Sequence, residues 1–214
     1  MTKLPCSERR QRLARAIFLG AFTALLAFTS AQAAEPSSGA AYRLAKGTNE
    51  FGLWIGGSPD SFGNIEDRQM LLVALRYGRV LAEWDWGALQ YTFDLLPAAV
   101  VFEPSDVRTG SSTIYGFGLA PLGLKLTVGQ RSWIKPFLAA SLGLAYFRRD
   151  VPVPDSSRFN FTEEIGLGVD FFLAPKRALT VGYKIQHLSN AGIGDRNPGM
   201  NSHVIYAGFS FFTP

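Results

Sequence analysis

The chain has 214 residues, 47% of them hydrophobic and 18% charged, enough for one sizeable domain and short for two. Its formal charge is +4, but residues 1–33 carry five of the 21 Lys and Arg and one of the 17 Asp and Glu, leaving 16 of each and no net charge. The basic balance is therefore no argument for a nucleic-acid partner. The single cysteine, Cys6, falls in the same stretch and leaves the remainder without disulfide or thiol chemistry.

The first predicted element is an export signal. Arg9, Arg10, Arg12 and Arg15 precede an apolar run from Ala16 to Phe28, and Ala31-Gln32-Ala33 follows as a small-residue cleavage site near Ala33 or Ala34. The run is shorter than the ~20 residues a membrane anchor needs. Arg9-Arg10 also suits a twin-arginine route, although a plain basic n-region is the better explanation. The expected organisation is a cleavable signal over 1–33, a lead-in over 34–48 and one domain over 49–214.

No later segment approaches the length of a membrane helix. The chain reads instead as β-runs separated by Gly, Pro, Asp, Asn and Ser clusters. Strands are predicted near 49–57, 68–84, 87–102, 113–127, 133–148, 159–172, 178–189 and 201–212. Connections near Asp85-Trp86, Gln130-Arg131 and Ala174-Pro175-Lys176 are tight, whereas 58–67, 103–112, 149–158 and 190–200 are longer and polar. Eight antiparallel strands with alternating short turns and long loops describe an all-β, transmembrane barrel of the bacterial outer membrane. Its long loops face the outside, so the seventh strand runs outward.

Period-2 alternation separates two faces. Tyr91, Phe93 and Leu95 alternate with Gln90, Thr92 and Asp94; Leu71, Val73, Leu75 and Tyr77 alternate with Ala74, Arg76 and Gly78. In the seventh strand Leu179, Val181, Tyr183 and Ile185 alternate with Thr180, Gly182, Lys184 and Gln186. A soluble lipocalin-like barrel would put the apolar set inside. Lys184, Gln186, Arg76 and Asp94 at the opposite parity favour the membrane version, with Glu164 and Asp170 as further lumen charges. Eight strands leave a filled lumen, which fits a channel badly. Trp84 and Trp86 suit an aromatic girdle at a periplasmic turn. Arg148, Arg149, Arg158 and Arg196, at strand ends and in loops, suit solvent or lipid phosphates.

One segment carries reactive chemistry. His187 and Ser189 share a parity and leave the same face about 6.8 Å apart along the strand. An imidazole can lean across that gap, and a base beside a hydroxyl is the minimum for an activated nucleophile. Their parity is that of the lipid face, at the outward end of the strand, where the ester-bearing lipid is lipopolysaccharide. His-x-Ser also occurs simply as interfacial polarity. His203 reads as an interfacial residue, and no Cys or His cluster offers a metal site.

The segment His187-Leu188-Ser189-Asn190-Ala191-Gly192, followed by Asn197-Pro198-Gly199 and a final strand, resembles the end of the lipid A 3-O-deacylases, the PagL-type acyloxyacyl hydrolases. The resemblance covers about 30 C-terminal residues strongly and the rest through architecture. It implies a serine esterase acting on lipid A in the outer leaflet, without cofactor, removing a 3-linked hydroxyacyl chain, and it allows a homodimer. Carried over, Ser189 is the nucleophile, His187 the base, Asn190 and Asn197 flank the site, and Asn197 is the candidate oxyanion donor. Turn chemistry is the plain alternative for both asparagines, and it explains Asn197, before Pro198-Gly199, equally well. The family pattern has an acid where this chain has Asn201. Asparagine orients an imidazole but adds no charge, and such a loss can cost about 10⁴ in rate. The other reading is therefore a non-catalytic or lapsed structural barrel. Counting back from the turn centred near Pro175 sets Glu163 opposite His187 on the lipid face, which makes Glu163 the candidate compensating acid. Asp195, in the last long loop, is a weaker one.

Overall fold

The computed structural model describes residues 42–104 and 113–214; the predicted signal segment and most of the lead-in lie outside the described residues. The strands are β1 (Asn49–Ser58), β2 (Ser61–Phe62), β3 (Gln69–Glu83), β4 (Gly87–Phe102), β5 (Thr113–Val128), β6 (Ile134–Val151), β7 (Ser157–Ala174), β8 (Arg177–Ser189) and β9 (Met200–Thr213). Each long strand pairs antiparallel with the next, and β1 also pairs with β9, closing an eight-stranded barrel. The two-residue β2 lies within the first long connection and pairs with Ser202 and Asn201 at the start of β9.

Two departures from expectation concern the long-loop end. Half of the predicted connection over 149–158 is strand: β6 continues through Arg148-Arg149-Asp150 to Val151, β7 begins at Ser157, and residues 152–156 remain between them. Polar residues signal a loop only where a strand is half-buried. Here the ladder continues beyond the 9–11 residues or so that a bilayer requires, into water that accepts charge. Second, β2 has too little periodicity to be legible.

Side chains separate as the alternation predicts. Leu53, Leu75, Leu122, Leu138, Ile165 and Leu167 are each at least half exposed around the outside. In water such a band would be an anomaly; on a membrane barrel it is the lipid contact. Pro97 and Pro121 fall within register shifts of the β4–β5 and β5–β6 ladders. A residue without an N–H is tolerated at such points.

The lumen is filled in layers. Across the middle, Arg76 donates Nε–H to Oδ1 of Asp94 at 2.8 Å and Nη2–H to Oδ2 at 2.6 Å. Lys125 pairs with Asp170 at 2.6 Å and Glu50 at 3.7 Å, and Lys184 pairs with Glu164 at 2.8 Å. Sequence parity alone did not indicate the apolar layers on either side. Met70, Leu72, Val101, Ile114, Phe147, Leu188 and Met200 fill the long-loop half. Tyr42, Leu44, Val80, Phe172 and Phe212 close the short-turn end. Leu44, from the lead-in, donates its N–H to Oε1 of Gln130 at 2.9 Å and accepts from Nε2 at 3.1 Å. This packed interior holds the wall that carries the site rigid.

Candidate active site

Strand register builds the site on the outer wall. Leu122, Leu142, Glu163, His187 and Asn201 form one cross-strand row over β5, β6, β7, β8 and β9. Leu144, Phe161 and Ser189 form the row nearer the long loops. Leu124, Ala140, Ile165, Ile185 and His203 form the row below. The pairing of Glu163 with His187 follows from the tight Ala174–Arg177 hairpin, with Leu167 opposite Tyr183 and Phe171 opposite Leu179 as counted from sequence.

The imidazole turns sideways rather than along its strand. Nδ1 of His187 lies 2.7 Å from Oδ1 of Asn201, the residue directly opposite, whereas Ser189 is a full pleat away. Among the described residues no hydrogen bond joins His187 to the Ser189 hydroxyl, which is half-buried on the same face. An amide oxygen can only accept, so Nδ1 carries the hydrogen, and in the neutral ring Nε2 then presents its lone pair. That is the tautomer a general base needs. The first long connection braces this arrangement: Phe62 pairs with Asn201 in the ladder and stacks on His203 with ring centroids 4.2 Å apart. Asn64 donates Nδ2–H to the Pro198 carbonyl at 3.0 Å. Residues 61–64 carry no signal in the sequence that would single them out for this role. His203 itself shares a 2.5 Å hydrogen bond with the Tyr183 hydroxyl.

The loop after Ser189 is tied by its asparagines. The buried Asn190 side chain accepts from the Gly192 N–H at 2.9 Å and donates to the Arg196 carbonyl at 2.8 Å. The Asn190 N–H donates to Oδ1 of Asn197 at 3.1 Å. Asn197 thus has its carbonyl committed beside the residue that follows Ser189, and its Nδ2 remains as a donor. The Arg196 N–H reaches the Asp155 carbonyl at 3.0 Å, docking this loop on the β6–β7 connection. Asp195 is exposed in the same loop.

Gly199 is required by space as well as by φ. Its φ is +66°, and a Cβ there would lie 2.9 Å from Cε1 and 3.6 Å from Nε2 of His187. Any side chain would force the His187 ring or the Gly199 backbone to shift. We expect Gly199→Ala to lower turnover by about 10- to 100-fold, since a misplacement near 1 Å can cost 10²-fold. The check is kcat on lipid A, with barrel folding verified by heat-modifiable gel mobility; unchanged kcat would refute this packing constraint.

From His187 and Glu163 an apolar groove of about 670 Å³ runs around the outer wall, between Ile185, Ile165, Leu142 and Leu124, as far as Tyr91. Gly123 and Ala140 contribute small residues to its lining. A groove so walled suits an acyl chain, and His187 stands at its end.

Known proteins share the family and the barrel of this chain. The family model for lipid A 3-O-deacylase (PagL) matches residues 74–210, which include every residue of the site. The lipid A deacylase PagL of Pseudomonas aeruginosa is 30% identical over 132 residues, covering 60% of this chain and 64% of that protein, so the match spans somewhat under two thirds of the relative. Among solved structures, the outer membrane enzyme PagL is similar with a TM-score of 0.58 at 21% identity, covering 74% of this chain and 97% of that one. Neisserial surface protein A is similar with a TM-score of 0.53 at 14% identity, covering 78% and 97%. The two structures share the barrel, and the family model covers well over half of the chain: this protein belongs to the lipid A 3-O-deacylase (PagL) family.

Proposed function

We propose that the chain sits in the bacterial outer membrane and hydrolyses an ester-linked hydroxyacyl chain, the 3-O chain, of lipid A by a Ser-His mechanism. The observation that carries this is the His187–Asn201 hydrogen bond at 2.7 Å, which frees Nε2 as a base on the lipid-facing wall that also bears Ser189.

Ser189 Oγ attacks the ester carbonyl as its proton passes to Nε2 of His187. The carbonyl π bond opens to an oxyanion, stabilised by Nδ2–H of Asn197. Such a donor can be worth ~3 kcal/mol in the transition state. Asn190 holds the loop that presents Asn197. Collapse of the intermediate breaks the bond to the sugar oxygen, which takes the proton back from His187. Water, deprotonated by the same imidazole, then releases the hydroxy fatty acid and restores Ser189. The groove from His187 to Tyr91 keeps the acyl chain in an apolar environment while the headgroup stays at the membrane surface.

One observation favours a second reading, a barrel that has lost catalysis: Asn201 stands where the resemblance to the family implies an acid. The two readings separate on the purified barrel in detergent with lipid A. Release of a 3-hydroxy fatty acid, with the secondary acyl chains retained on the product, is the expected result. Intact lipid A after prolonged incubation with folded protein would support the non-catalytic reading, and loss of another chain would refute the 3-O assignment.

A further inference from the structure

We infer that the carboxylate serving this site comes from β7: Glu163 faces His187 across the wall and supplies the negative charge that Asn201 lacks. The inference rests on the proposed function and concerns the same site.

The surroundings of Glu163 are what carry it. On the outer face its cross-strand neighbours are Leu142 on one side and His187 on the other, and Phe161 and Ile165 precede and follow it at the same parity. Directly opposed residues of antiparallel strands hold their Cβ atoms about 4.5–5.5 Å apart. His187 is therefore the polar group directly opposite the carboxylate, with Ser189 on the diagonal and apolar side chains at the other neighbouring positions. Among the described residues Glu163 takes part in no ion pair or side-chain hydrogen bond, although it is exposed on the face that meets lipid. A carboxylate there is unfavourable unless something requires it.

Three of the other titratable groups nearby, Glu164, His203 and Tyr91, have partners of their own. Glu164 points into the lumen, bonded to Lys184, Gln186 and Ser141. His203 is bonded to Tyr183, and the Tyr91 hydroxyl donates to the Pro121 carbonyl at 2.5 Å. Arg196 and Asp195 are both exposed in the loop beyond Ser189, where the Arg196 main chain is tied to Asp155 and Asn190. On this inference Asn201 and Glu163 act on the imidazole from opposite sides, Asn201 through its hydrogen bond and Glu163 through space from the facing strand. The amide fixes the tautomer from β9, and the carboxylate offsets the imidazolium charge from β7. Glu163 is a positioning residue, because it acts through His187 without touching the ester.

Losing the tautomer and the charge together can cost about 10⁴ in rate. With Asn201 still holding the ring, Glu163→Gln is expected to lower kcat about 10- to 100-fold with KM changed less than about twofold. A carboxylate restored on the other strand should compensate. Asn201→Glu should raise kcat by a larger factor in the Glu163→Gln background than in the natural sequence, since coupled residues depart from additivity. A structural role for Glu163 predicts no such rescue. Glu163→Leu, matched to its apolar neighbours, provides a second carboxylate-free variant should the glutamine form fold poorly. Wild-type kcat in a folded Glu163→Gln or Glu163→Leu barrel, or an equal Asn201→Glu factor in both backgrounds, overturns the inference and leaves the Ser-His proposal standing. Absence of any Ser189-dependent hydrolysis by the natural sequence overturns both.

Discussion

Purified Ser189→Ala is expected to lose at least about 10³-fold in fatty-acid release from lipid A, and His187→Ala to lose nearly as much. The double variant should be no worse than either single one. A nucleophile and its base act in one step, so removing either disables the step and the second removal finds nothing left to lose. What remains comes from the groove and the Asn197 amide, which bind and polarise an ester without attacking it. The measurement is initial rate by mass spectrometry of released hydroxy fatty acid, at equal amounts of folded barrel. Losses that multiply in the double variant would mean that His187 and Ser189 act separately. The fixed tautomer at His187 would then have no catalytic meaning.

The largest effect on stability is expected at Lys125. Its side chain and those of Glu50 and Asp170 are each 1% exposed, with Nζ 2.6 Å from Asp170 and 3.7 Å from Glu50. Glu50 also accepts from Ser210 at 2.7 Å and Gln90 at 3.1 Å, and Asp170 accepts from Thr180 at 2.7 Å. Lys125→Met leaves two buried carboxylates without the ammonium that joins them. Breaking a buried pair in this way costs about 3–5 kcal/mol. Replacing all three with neutral residues of similar size should recover much of that loss, because the penalty belongs to uncompensated charge rather than to missing contacts. Urea unfolding in lipid vesicles, followed by tryptophan fluorescence, checks both statements. A loss under about 1 kcal/mol for Lys125→Met would show that water or a nearby cation already balances the carboxylates.

The eight long strands were legible because each carries its own period-2 pattern and ends in turn residues. The Glu163–His187 pairing was legible for a related reason: the hairpin between β7 and β8 is tight, so counting from Pro175 leaves little freedom in register. Asn201 opposite His187 needed the β8–β9 register, which a ten-residue loop hides. Its bond to Nδ1 was therefore visible only in the folded wall. The apolar lumen layers were hidden for a different reason. Phe147, Leu188 and Met200 have the inward parity, but an apolar residue at an inward position reads the same as a lapse in the pattern. The brace from Phe62 and Asn64 depends on a loop folding back over β9, and two residues of strand are too few for any periodicity. The extensions of β6 and β7 escaped because charged residues such as Arg148 and Arg149 mark loops and water-exposed strands alike. Asn190 and Asn197, open to either a turn or an oxyanion role, both take part in closing the loop; the Asn190 side chain is buried, whereas that of Asn197 is exposed.

Whether Ser189 on the outer wall cuts an acyl chain from lipid A can be read directly from the lipid. The measurement is the mass spectrum of lipid A extracted from bacteria expressing the natural sequence or Ser189→Ala, with both barrels confirmed as folded in the outer membrane. The expected result is lipid A lighter by one hydroxyacyl chain with the natural sequence and unaltered lipid A with Ser189→Ala. Identical spectra from the two strains would contradict a role for Ser189 as the nucleophile.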